Sequence, residues 1–166
     1  MSDIDEAAAI ARVDAGEMRR HLADFPRHLE RAMEIGREAN IGVDPAGISS
    51  VAVLGMGGSA IGGELVSGLL SDSLPVPLQV IRNYELPASV SRDTLVLVSS
   101  YSGNTEETLE AYREAGRRGC PIVCITSGGA VERIAAERGD DCIGIPGGLP
   151  PRAALAFSLV PTLVVL

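Results

Sequence analysis

Residues 99–108, SSYSGNTEET, set four hydroxyls (Ser99, Ser100, Ser102 and Thr105) around Gly103 and Asn104. An apolar run, DTLVLV, comes directly before them, and LEAYREAGRRG, with helical spacing, follows. A strand-to-helix turn needs only one or two such residues as caps. Hydroxyls crowded at a helix N-terminus suit a bound anion, above all a phosphate. They donate hydrogen bonds without a full counter-charge, and the helix adds unpaired amides and a positive dipole end. Glu106 and Glu107 fall in the first helical turn, where carboxylates favour the dipole and satisfy backbone amides. The plainer alternative is an overbuilt helix cap.

A second loop, GMGGSAIGG at 55–63, fits Gly-x-Gly-x-x-Gly/Ala with Gly55, Gly57 and Ala60. That spacing is the fingerprint of a Rossmann dinucleotide site. Such a site needs an acid closing the second strand, and Glu85 is the nearby candidate, although it lies past the expected strand end. A tight turn that uses glycine only for close packing is the other alternative.

The elements that must hold these loops alternate along the chain. VAVLG, PLQVIRN, TLVLVSS, CPIVCITS and CIGIP read as short strands. SAIGGELVSGLL, NTEETLEAYREAGRRG (stopped by Gly119) and AVERIAAERG (stopped by Gly139) read as helices, and a further helix starts at Pro151. Strands of about five residues alternating with helices predict an α/β, flavodoxin-like doubly wound five-stranded parallel sheet of order 2-1-3-4-5. In that order the first and third strands are neighbours, and a crevice opens at their carboxyl ends. GMGGSA and SSYSGNT would face each other across it, an arrangement suited to a compact anion such as a phosphate monoester. Ahead of the sheet, residues 3–22 have helical periodicity. DFP at 24–26 marks a break and restart, with Asp24 or Phe25 near the cap, and Leu29, Ala32, Met33 and Gly36 share one face of the next helix. The chain divides into a helical segment, 1–45, and an α/β domain, 46–166.

Composition narrows the chemistry. The net charge of −8 argues against nucleic acid and anionic membranes as partners. All 14 basic side chains are arginine, which excludes Schiff-base and Walker-lysine chemistry within this chain. Cys120, Cys124 and Cys142 lie in strand-like runs and read as reduced, buried thiols of a cytoplasmic protein. No zinc spacing is present, and no metal or other cofactor is expected. The apolar stretch AALAFSLVPTLVVL is too short to span a bilayer and reads as a core helix. The chain stops there on apolar residues, so it is expected to be part of a longer protein. His21 and His28 read as solvated or hinge residues of the helical segment.

Together GMGGSAIGG, SSYSGNTEET, ITSGG at 125–129 and PPRAALAF at 150–157 resemble the SIS (sugar isomerase) domain. FP at 25–26 and the strand–Asn–Tyr segment near 81–84 fit as well. The similarity is strongest to the amino-terminal half of the bifunctional phosphoglucose/phosphomannose isomerase family. The resemblance implies binding of a sugar phosphate such as fructose 6-phosphate. Gly58 and Ser59 would contact it from the first loop, and Ser100, Ser102 and Thr105 would hold its phosphate. Arg152 would stabilise charge developing on the sugar. It also implies a homodimer formed through SIS domains. The general base and acid of the family have no counterpart in these residues. Of the local carboxylates Glu64, Glu85, Glu106 and Glu107, only Glu85 remains open as a base. A stand-alone SIS module that senses a sugar phosphate, or a Rossmann-type NAD domain, are the competing readings.

Overall fold

A computed structural model describes residues 7–166. Five parallel strands form one sheet in the order β2-β1-β3-β4-β5. They are β1 (Ser50–Leu54), β2 (Leu78–Ile81), β3 (Thr94–Ser100), β4 (Ile122–Thr126) and β5 (Asp141–Gly144). Val, Ile and Leu dominate the three central strands, and every residue of β3 and β4 is buried. That is the pattern of a sheet covered on both faces. In β1 and β3, Val53 pairs with Leu97 and Leu54 with Val98, so β3 runs two residues beyond the end of β1, to Ser100.

The helices divide between the two faces as right-handed crossovers require. From β1 the chain moves to β2 through α4 (Gly57–Leu69), and from β3 it moves the other way, to β4, through α5 (Glu106–Arg117). Opposite directions of travel put α4 and α5 on opposite faces. On the α5 face, Leu109, Tyr112 and Ala115 pack with Val131 and Ala135 of α6 (Gly129–Arg138) over Leu54, Val96, Val98 and Cys124. Tyr112 is fully buried, and its hydroxyl donates to Asp140 Oδ2 at 2.7 Å. The other face is covered by α4, by α3 (Phe25–Glu38) and by α7 (Leu155–Val165), whose Phe157 and Val160 join Val53, Leu97 and Ile125. AALAFSLVPTLVVL is therefore core, as its sequence predicts.

Three expectations need correction. The helix expected over 3–22 is broken: α1 spans Ala7–Val13 and α2 spans Met18–Ala23, while residues 3–6 lie outside the described residues. Asp14 causes the break, since its carboxylate accepts the Met18 and Arg19 amides and starts a new helix there. The segment at Pro151 opens as a 3-10 turn, Pro151–Ala154, before α7. Cys120 and Cys124 are buried as expected, and desolvation pushes the Cys124 thiol up to about 12. Cys142 is exposed, because it sits on the outer strand β5 where only alternate residues face a helix layer. No helix among the described residues is long and apolar enough to cross a membrane.

One backbone position is unusually demanding. Gly103 has φ +66°, and a Cβ there would run into the Gly128 carbonyl. Gly119 has a similar φ of +72° with open space around it. Gly119→Ala should cost about 1 kcal/mol, the ordinary penalty for a left-handed residue, and Gly103→Ala at least ~2 kcal/mol more. Urea unfolding midpoints of the two variants check this ordering. Equal losses would show that the contact with Gly128 yields.

Candidate functional site

The crevice at the carboxyl ends of β1 and β3 is built from three loops. The first, Gly55–Met56, leads straight into α4. A Cβ on Gly55 would lie 2.9 Å from the Ser99 carbonyl oxygen and 3.2 Å from the Ala60 amide. Only glycine lets the turn pass this close to β3. The second loop, Tyr101–Thr105, leads into α5. The two are tied directly, the Tyr101 amide donating to Ser59 Oγ at 3.3 Å.

The third loop, Ser127–Gly128 after β4, braces the second from beneath. Ser127 donates to the Tyr101 carbonyl through its hydroxyl at 2.6 Å and its amide at 3.2 Å. The Val131 amide donates to the Gly103 carbonyl, and the Ala130 amide to Asn104 Oδ1, both at 3.0 Å. Asn104 Nδ2 in turn donates to the Ser102 carbonyl at 3.0 Å. The loop carrying the hydroxyls is thereby fixed from several directions. Preorganised donors of this kind bind an anion without first paying to order themselves.

Neither helix that starts here has a side-chain cap. The N-caps are Met56 for α4 and Thr105 for α5, and neither side chain bonds a backbone amide. Two uncapped N-termini thus open on one crevice, each with its positive dipole end directed into it. Glu106 and Glu107 occupy the first turn of α5, as expected from the sequence.

The four hydroxyls do not all gather at the start of α5. Strand alternation sends successive side chains to opposite faces. Ser100 continues the row Val96–Val98 on the α5 face, and its hydroxyl donates to Thr105 Oγ1 at 3.4 Å. Ser99 continues the row Leu95–Leu97 toward α7 and is buried there, so it does not join them. Ser100 is itself only 2% exposed. Ser102 is exposed, and its Oγ accepts the Asn104 amide at 3.3 Å.

Arg152 lies beside the first loop. A Cβ on Gly58 would meet the Pro151 carbonyl at 3.2 Å, so the 3-10 turn packs directly against the start of α4. The Arg152 side chain is exposed and makes no ion pair among the described residues. The structure therefore brings Gly58, Ser59, Ser100, Ser102, Thr105 and the Arg152 turn to one end of the sheet. Glu85 stands four residues beyond Ile81, the last residue of β2, in an exposed loop. It does not close the strand as a ribose-binding acid would. His28 is half-buried rather than solvated: its ring lies 5.5 Å from that of Phe157, and its Nδ1 is buried without a hydrogen-bond partner. An apolar pocket of about 220 Å³, lined by Ile41, Val51, Leu95 and Leu166 among others, sits at the opposite, amino-terminal end of β1 and β3.

Sequence reasoning missed Tyr101. It is the one aromatic residue inside SSYSG, and an aromatic within a polar turn was the available signal. Its backbone ties the first loop to the third, and its phenol oxygen accepts the Leu149 amide at 2.9 Å. Tyr84 lies in the loop after β2. It is 43% exposed. Partial desolvation, then the charges of Glu106 and Glu107, raise its phenol above the ordinary value.

The comparisons agree with this architecture. The SIS domain family matches residues 48–166, and the chain belongs to that family. It is 46% identical over 141 residues, 85% of this chain, to a bifunctional phosphoglucose/phosphomannose isomerase of Caldicellulosiruptor bescii. To the protein of that name from Thermoplasma acidophilum it is 42% identical over 113 residues, 68% of this chain. It spans only 42% and 34% of those relatives' lengths. Among solved structures, the C-terminal domain of glucosamine-fructose-6-phosphate aminotransferase from Francisella tularensis superposes with a TM-score of 0.68 at 15% identity. That match covers 87% of this chain and 46% of that one, and it shows the shared fold.

The position of Tyr84 is directly testable. In a 13C-tyrosine NMR titration its phenol should ionise above the ordinary pKa of about 10. Glu106→Gln/Glu107→Gln should bring it part of the way back, because removing the two negative charges makes the phenolate easier to form while desolvation remains. No change on neutralising both carboxylates would place Tyr84 away from the start of α5.

Proposed function

We propose that the crevice between β1 and β3 holds the phosphate of a hexose 6-phosphate. In this reading the chain is the phosphosugar-binding half of an aldose–ketose isomerase. The parent reaction interconverts glucose 6-phosphate or mannose 6-phosphate with fructose 6-phosphate. The observation that carries the proposal is the convergence of two uncapped helix N-termini on one crevice that also holds Ser59, Ser102 and Thr105. The names of the curated relatives support the choice of sugar phosphate.

Each group has a role in this reading. The amides around Gly57 and Gly58 and the first turn of α5 donate to phosphate oxygens. Ser102 and Thr105 add hydroxyl donors, and Ser100 orients Thr105 through their mutual hydrogen bond. Ser59 closes the opposite wall. Once the phosphate is anchored, the sugar extends toward the 3-10 turn, where Arg152 meets its oxygens and stabilises the negative charge of an enediolate. Anchoring the unreactive phosphate is the means by which such an enzyme fixes the reacting carbons.

Proton transfer between C1 and C2 needs a base over those carbons and an acid to open the ring. Glu106 and Glu107 sit in the first turn of α5, beside the phosphate end of the crevice, which leaves them badly placed for that work. Glu85 is in the exposed loop after β2. We assign the base and the acid to the remainder of a longer protein, so the 166-residue chain is expected to bind without isomerising.

Thermal unfolding with added ligand tests the binding. At 100 times its Kd, fructose 6-phosphate should raise the midpoint by roughly 5–10 °C, corresponding to about 2.7 kcal/mol. Free fructose and NAD should leave it unchanged, and Ser102→Ala/Thr105→Ala should abolish the shift. Stabilisation by NAD alone would contradict the proposal.

A further inference from the structure

We propose that the Tyr101 phenol is a positioning group for Arg152, linking the phosphate loops to the residue that reads the sugar. This rests on the phosphosugar reading above. The phenol oxygen accepts the Leu149 amide at 2.9 Å. Leu149 is followed by Pro150, Pro151 and Arg152. Two successive prolines have fixed φ, so the orientation of Leu149 passes stiffly into the turn. The turn itself is closed by the Ala153 amide donating to the Pro150 carbonyl at 2.8 Å.

The segment before Leu149 gives no comparable support. After Ile145, whose amide donates to the Thr126 carbonyl at 2.9 Å, the chain runs through Pro146, Gly147 and Gly148. Among the described residues, the bond to the Tyr101 phenol is the one backbone hydrogen bond between Ile145 and Ala153 that reaches the body of the sheet. Ala153 and Ala154, both buried, anchor the turn on its far side, and the phenol fixes its entry after the two adjacent glycines. On the other side of the turn, the Pro151 carbonyl rests against Gly58. Arg152 is thus held between two contacts, one from each phosphate loop.

The same residue fixes the second loop through its backbone, to Ser59 and to Ser127. Tyr101 therefore supplies one of the two contacts that set the distance from the phosphate grip to the arginine, and of the two it alone also fixes the second loop. That distance decides which phosphorylated chain fits, because the phosphate and the arginine must be bridged by the sugar. The phenol is a specificity device for sugar phosphates over bare phosphate.

Calorimetric titration of the full chain with inorganic phosphate and with fructose 6-phosphate tests this. Four proteins are needed: the unmodified chain, Tyr101→Phe, Arg152→Ala and the double variant. The unmodified chain should prefer fructose 6-phosphate, and Tyr101→Phe should reduce that preference about five- to tenfold, as loss of one hydrogen bond would. The double variant should bind no more weakly than Arg152→Ala, since both changes remove one interaction. Equal weakening of both ligands by Tyr101→Phe would show a merely structural role and overturn the inference, as would additive losses in the double variant. A second readout needs no variant: the Leu149 amide should exchange with solvent more slowly than those of Gly147 and Gly148, and equal rates would overturn the inference too. Failure of the unmodified chain to bind fructose 6-phosphate would instead remove the underlying phosphosugar reading, and this inference with it.

Discussion

At the carboxyl end of β1 the backbone turns so close to β3 that a Cβ on Gly55 would lie 2.9 Å from the Ser99 carbonyl. That close approach is the constraint on which the site depends. It allows the chain to leave β1 immediately into α4, while β3 beside it leaves into α5 on the opposite face. Two helix N-termini then open on one crevice, and neither is capped by its own side chains. Unpaired amides at a helix end are tolerated where water or a ligand satisfies them. Here they are gathered within one concavity, and the proposed phosphate site rests on that convergence.

The bracing around the crevice shows how much of the structure serves it. Asn104, Ser127 and Thr126 all spend their hydrogen bonds on loop backbone. Gly103 is held in a left-handed conformation where a side chain could not fit. The two packed cores lie farther down, around Leu97 and Ile125 on one face and around Tyr112 and Cys124 on the other. They provide the rigid platform, and the loops carry the proposed site.

Much of this was legible from residue pattern. Fully buried parallel strands read as apolar runs, and Gly119 and Gly139 end α5 and α6 as predicted. The site loops were legible because hydroxyls and glycines were concentrated beyond what turns require. What escaped depends on direction in space. Composition places Ser99 and Ser100 side by side, and only strand alternation separates their side chains. The break at Asp14 depends on its carboxylate capturing two amides, which helical periodicity does not register. His28 is half-buried because α3 packs on Phe157 of α7, more than a hundred residues away. Tyr101 matters through three partners scattered from Ser59 to Leu149, and no local window of sequence contains them.

Membership in the SIS family accounts for the fold, and the ligand and the parts played by individual residues are what we propose from the geometry of the crevice. The central claim is that the ligand sits where the two N-termini meet. Backbone amide chemical shifts recorded during a fructose 6-phosphate titration test it most directly. The amides of 57–60 and 101–107 should move together along one saturable curve, with the 149–153 segment following. Shifts confined to the apolar pocket around Ile41 and Leu95, or absent from both loops at saturation, would contradict the account.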